Sequence, residues 1–177
     1  MALAVAPVTV LSSDPAEPDA SLVYQLIDER LSYMEEVALY KARNHQPVED
    51  REREAVVLAK SVEKAEKLGL DPASVSDFYA AQISAAKAIQ YRRRAALLFE
   101  PGVMDRKPRD LNTDIRPALI SLGNDLAAAI REYLAAGGRF AGDQRQAFVA
   151  RVGSDKLTRE EKEILYEALG RIRLLER

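Results

Sequence analysis

The chain has 177 residues, with 26 Lys and Arg against 28 Asp and Glu, a formal net charge of −2. That balance argues against capture of nucleic acid or an anionic membrane by bulk charge. The absence of Cys excludes disulfides and thiolate chemistry, and a single His argues against a histidine-built zinc site. Ala (28) and Leu (21) dominate while aromatics make up 6%, a composition that favours helix over sheet.

Residues 1–20 (MALAVAPVTVLSSDPAEPDA) open with an apolar run too short to cross a bilayer, and no Lys or Arg precedes Arg30. The segment 1–18 reads as the remnant of a trimmed export signal or as a disordered tail. Pro and Gly then divide the chain. Neither occurs from Asp19 to Gln46, from Val48 to Leu68, or from Ala73 to Glu100, and each interval is helix-length rather than strand-length. A first helix is expected from about Asp19 or Ser21 to Arg43, and a second from Val48 or Asp50 to Leu68. Gly69-Leu70-Asp71-Pro72 stops that helix and starts a third, with Pro in its first turn. EPGVMDRKPRD after Phe99 reads as a linker. Further helices are expected over about 111–136, 143–152 and 156–175, separated by Gly137-Gly138 and Gly153-Ser154. The fold class predicted is an all-α helical bundle, one domain over 19–177, with a core at 19–99 and C-terminal helices at 110–176.

Two of the predicted helices carry polar groups on their apolar stripes. Val23, Ile27, Met34 and Val37 fall at helical spacing, and the same stripe passes through Arg30 and Lys41. These two cations are 11 residues apart, three turns and about 16 Å along one face. In the third helix Val75, Tyr79, Ile83 and Ala86 lead to Gln90. Arg53 lies one turn before Val56-Val57 in the second helix and can also face inward. Singly, each has a bland reading: a snorkelling cation, a satisfied core amide, or a solvated helix start in Asp50-Arg51-Glu52-Arg53-Glu54. Together, inward cations on two helices and an amide on a third fit a small, multiply anionic ligand, since unpaired buried cations cost several kcal/mol each. Arg92-Arg93-Arg94 fans across ~200° of its helix and reads as solvated surface. His45 falls in the break after the first helix and is given no role.

The same residues carry a family resemblance. E-R-L at Glu29 to Leu31, V-A-L-Y-K at Val37 to Lys41, P-V-E-D-R-E-R-E at Pro47 to Glu54 and Q-I-S-A-A-K-A-I-Q at Gln82 to Gln90 resemble the all-helical class of chorismate mutases. The helical region after residue 110 is similar to that of the exported subclass. Minimal members of the class are intertwined dimers in which an early Arg completes the partner's site. No Arg precedes Arg30 here, and by resemblance to the exported subclass Arg116, in D-L-N-T-D-I-R-P, fills that place within one chain. A homodimer is left open; the resemblance implies a periplasmic or secreted location, with the cytoplasm as the alternative.

The resemblance implies conversion of chorismate to prephenate by a concerted shift, with no cofactor, no metal, no nucleic acid and no membrane partner. It implies that Arg30, Arg53 and Arg116 hold the substrate's two carboxylates. Lys41 and Gln90 donate to the ether oxygen, and Asp50 and Glu54 receive the ring hydroxyl. Ala86 departs from the pattern, standing where relatives carry a Ser or Thr able to touch a carboxylate. Two alternatives remain at this stage. One is an isochorismate pyruvate lyase, disfavoured by Glu54 and by the C-terminal region; the other is a non-catalytic helical module whose cations pair with core acids.

Overall fold

The computed structural model describes residues 18–153 and 155–176, so the expected tail falls almost wholly outside the described residues. Seven α-helices form the described chain: α1 (Ser21–Ser32), α2 (Met34–Arg43), α3 (Arg51–Lys67), α4 (Pro72–Leu97), α5 (Arg116–Ala135), α6 (Arg145–Arg151) and α7 (Arg159–Gly170). Among the described residues there is no β-strand, only an isolated bridge between Leu70 and Leu174. The all-helical class is as predicted.

The first predicted helix is divided in two at Tyr33. Ser32 Oγ donates to the Glu29 carbonyl at 2.7 Å, the kind of back-bonding that bends a helix by competing for its carbonyls. The chain then reverses at His45, whose φ of 53° is left-handed, a conformation His tolerates better than most residues.

The α3–α4 junction follows its sequence closely. Gly69 (φ 84°) takes the left-handed position after α3, and the Leu70 N–H returns to the Ala65 carbonyl at 3.0 Å, as in a Schellman closure. Asp71 then caps α4, accepting from the Ser74 N–H at 2.8 Å. The chain beyond α7 clasps this turn through Asp71 N–H to Arg173 C=O (2.9 Å) and Leu175 N–H to Gly69 C=O (2.8 Å).

The core runs through both halves. Ile27, Phe78 and Ile89 share it with Ile115, Leu126, Ile130, Phe148, Leu165 and Leu169, all at most 2% exposed. Each such side chain stabilises the fold by roughly 1.5–3 kcal/mol. α4 lies centrally, packed on α2, α3 and α7, while α5 packs on α1 and α3.

The expected linker contains a 3₁₀ turn at Pro101–Asp105 and is fastened to α2. Glu36 receives Arg106 at 2.7 Å and the Arg109 N–H at 2.8 Å, and Arg43 donates to the Arg106 carbonyl. The Arg92-Arg93-Arg94 run is more engaged than a solvated surface. Arg92 pairs with Glu161 (2.8 Å), Arg93 with Glu100 (3.0 Å), and Arg94 donates to the Gln46 carbonyl (2.7 Å).

Candidate active site

Between α1–α2, α3, α4 and the start of α5 lies a cavity of about 350 Å³, at the small end of ligand pockets. All seven residues singled out from the sequence line it: Arg30, Lys41, Asp50, Arg53, Glu54, Gln90 and Arg116. A larger, shallower depression of about 540 Å³ lies between the start of α1 and α6, but none of these residues lines it.

Arg30 comes from α1. Its Nε donates to Gln82 Oε1 at 3.0 Å and its guanidinium to the Leu119 carbonyl at 2.7 Å. No carboxylate among the described residues lies within ion-pair distance. Burial lowers its pKa from the ordinary arginine value, yet a guanidinium stays charged throughout the working range.

Lys41, in the last turn of α2, donates to the Val48 carbonyl at 2.7 Å. Burial pulls its pKa down; Asp50 and Glu54 push up, and Arg116 and Arg94 push down again.

α3 contributes the other wall. Asp50 caps it, its Oδ1 accepting from the Arg53 N–H at 3.1 Å, while Glu54 reaches back to the Asp50 N–H at 3.2 Å. This cap turns Arg53 and Glu54 toward the cavity. Glu54 is also paired with Lys87 at 3.0 Å. Burial raises its pKa, but the bonds from Lys87 and the Asp50 N–H outweigh it, so the net shift is downward.

Gln90 on α4 is 5% exposed. Its Nε2 donates over long distances, to the Met34 sulfur at 3.7 Å and the Ala86 carbonyl at 3.3 Å, and its Oε1 has no partner. Sulfur is a poor acceptor, so a ligand oxygen can take over the N–H that points at Met34 at little cost.

Arg116 opens α5 directly after a π-turn at Leu111–Ile115. The wider turn, capped by Asp110 through the Asn112 and Thr113 N–H groups at 2.8 and 2.9 Å, sets the start of α5 against the cavity. Such π segments are frequent at functional sites.

Seven cationic side chains line the cavity against two carboxylates. A chain of net charge −2 thus concentrates positive charge in one apolar-walled hole, an arrangement suited to a small polyanion. Among the described residues no three His, Asp or Glu side chains converge as a metal site requires.

Residues 18–91 match the family Chorismate mutase type II. The secreted chorismate mutase of Yersinia pestis is 38% identical over 151 residues, covering 84% of this chain and 79% of that one. The chain belongs to the chorismate mutase family. The monofunctional chorismate mutase of Enterobacter agglomerans is 37% identical over 147 residues, covering 82% and 79%. The crystal structure of the Yersinia pestis mutase superposes with a TM-score of 0.78 at 35% identity, covering 88% of this chain and 99% of that one. The chain is therefore an isomerase that converts chorismate to prephenate, and the readings as a lyase or a non-catalytic module are not favoured. For a mutase the positive cavity is apt, since chorismate is a dicarboxylate.

Several lining or supporting groups escaped the sequence reading. Lys87 lies one turn before Gln90, on the face that already supplied Ile83 and Ala86, and could have been found by that spacing. Gly123, also in the lining, is a glycine inside a helical stretch, which is itself a signal. Gln82 opens the quoted Gln82 to Gln90 motif and falls at helical spacing between Phe78 and Ala85, so it too was within reach; the Val48 and Leu119 carbonyls left no such trace. Ala86 faces the cavity without a hydroxyl; Ser61 on α3 brings one to the lining.

Proposed function

We propose that the residues of this cavity divide the work of the mutase as follows. Arg30, Arg53 and Arg116 hold the two carboxylates of chorismate, for which Arg forks are well shaped. Lys41 and Gln90 donate to the ether oxygen, where negative charge grows as the C–O bond breaks. Asp50 and Glu54 receive the ring hydroxyl. The reaction has no covalent intermediate and requires no proton transfer, so catalysis consists of holding a compact reactive conformer and stabilising the developing charge. The observation that carries this reading is the convergence of all seven side chains on one small, cation-rich cavity.

The site is complete within one chain, with Arg116 supplying the third arginine, and residues 19–177 act as one unit. The fastening of 100–110 to α2 and the clasp of the C-terminal segment on the α3–α4 turn support this. Replacing Arg116 with Ala should lower kcat/KM by about a hundredfold, the loss expected when one charge-assisted contact disappears. Specific activity of the parent should stay constant on dilution through any dimer–monomer transition. An Arg116→Ala variant with parental kinetics, or activity that vanishes on dilution, would contradict the assignment.

We also place the enzyme outside the cytoplasm, in the periplasm or medium, because the Yersinia pestis relative is named a secreted chorismate mutase. Fractionation of cells expressing the gene with its own upstream sequence decides between export and retention.

A further inference from the structure

The Arg30 guanidinium is held on three sides by groups that carry no charge. From α4, Gln82 Oε1 accepts from Nε at 3.0 Å. From α5, the Leu119 carbonyl accepts from Nη1 at 2.7 Å. One turn further along α5, Gly123 leaves a gap, since a Cβ there would stand 2.9 Å from the same nitrogen.

Gln82 is 4% exposed and its Nε2 has no hydrogen-bond partner. Its orientation is nonetheless fixed, because turning the amide over would set two donors against each other. A buried amide with one half unsatisfied destabilises a fold, and the usual companion of a buried guanidinium is a carboxylate. A carboxylate at this position would bind Arg30 more tightly, but would cancel its charge and occupy the N–H groups that a ligand needs. Gly123 shows the same bias. It sits inside a 20-residue helix, where Ala would be the better helix former, and its missing methyl is the space that Arg30 occupies.

We infer that Gln82 and Gly123 are positioning residues for the mutase reaction: with the Leu119 carbonyl they form a neutral socket that aims Arg30 at a substrate carboxylate and leaves its charge intact. The inference rests on the reading that Arg30 holds a carboxylate of chorismate.

Kinetics and melting temperatures of Gln82→Glu, Gln82→Met and Gly123→Ala, each made in the parent and in an Arg30→Met background, test it. Prephenate affinity by calorimetry serves where turnover is too slow. Gln82→Glu is expected to raise KM by about a hundredfold. Gln82→Met and Gly123→Ala should each raise it about tenfold with kcat nearly unchanged, the pattern of lost uniform binding. Gly123→Ala should do so while the melting temperature holds or rises, which separates aim from stability. In the Arg30→Met background none of the three should weaken binding further. Parental KM in Gln82→Glu overturns the socket, as do losses that persist without Arg30 or that merely track melting temperature. Parental kinetics in Arg30→Met alone would instead overturn the assignment of Arg30 itself.

Discussion

The two walls of the cavity are built differently. The wall of α1, α2 and α4 is part of the core: Val23, Ile27, Val37, Phe78, Tyr79 and Ile89 are all at most 5% exposed, and Arg30, Lys41 and Gln90 project from between them. The facing wall, α3, has 17 residues of which only Ala65 is buried. Where α3 and α5 meet the cavity, Val56 and Ile120 are 43% and 58% exposed. Donors assigned to the reacting oxygen therefore stand on the wall held by core packing, where aim is preserved through the reaction. The α3 residues Arg53 and Glu54, with the Asp50 cap, to which a carboxylate and the ring hydroxyl are assigned, stand on the thinly packed wall.

The sharpest way to break this contrast is to remove the central donor of the core wall. Lys41→Ala should lower kcat/KM by about a thousandfold, the scale of losing a preorganised donor to developing charge, while helicity and melting temperature stay near parental. Parental turnover would refute the assignment. The pH dependence carries the same claim with a definite sign. Lys41 donates as an ammonium, and burial holds its pKa below the ordinary lysine value. The rate should therefore fall as pH rises through a value lower than that of a free lysine. Gln90 does not titrate, so an amide here adds no loss on the acid side.

The contrast also explains what was legible in the sequence. Arg30, Lys41 and Gln90 interrupt apolar stripes at helical spacing, so the core wall announced its cavity-lining polar residues as violations of its own pattern. α3 has almost no buried stripe to violate, and Arg53 and Glu54 looked like an ordinary charged helix start. Arg53 was marked only weakly, by its place one turn before Val56-Val57, and Glu54 only by the order and spacing of the family motifs. Helix ends governed by Gly69, Asp71 and Pro72 were readable because each residue acts locally. The division at Tyr33 was not, since it depends on a side-chain bond from Ser32 that other helical serines do not always make. Nor could a sequence show that the 100–110 segment docks on Glu36 and Arg43, or that a main-chain carbonyl at Leu119 receives Arg30. Such contacts depend on which elements meet in space.

A smaller loss should follow from disturbing the join between the walls, where Lys87 of α4 pairs with Glu54 of α3 at 3.0 Å. Glu54 has a lowered pKa although burial alone would raise it, because Lys87 and the Asp50 N–H favour its charged form. In Lys87→Gln the burial contribution remains and the main opposing one is lost, so the pKa of Glu54 should move up. Its carboxylate then protonates at a higher pH than in the parent, and the acid limb of kcat/KM should shift the same way, with a loss that grows as the pH falls and little change near neutrality. An unmoved acid limb would mean that Glu54 takes no part in binding.

The smallest effect tests the walls directly. Backbone amides of α3 should exchange with solvent faster than those of α4, because little apolar burial opposes local opening of α3. Prephenate binds the closed arrangement and should slow that exchange by about threefold at twice its Kd, by mass action on the open state. Amides at the centre of α4, which open only when the core does, should be slowed by the same factor, because that opening also destroys the site, while their exchange without ligand should already be much slower than that of α3. Equal ligand-free exchange in both helices would show that the walls open together, and that the thin packing of α3 does not make it a separate moving part.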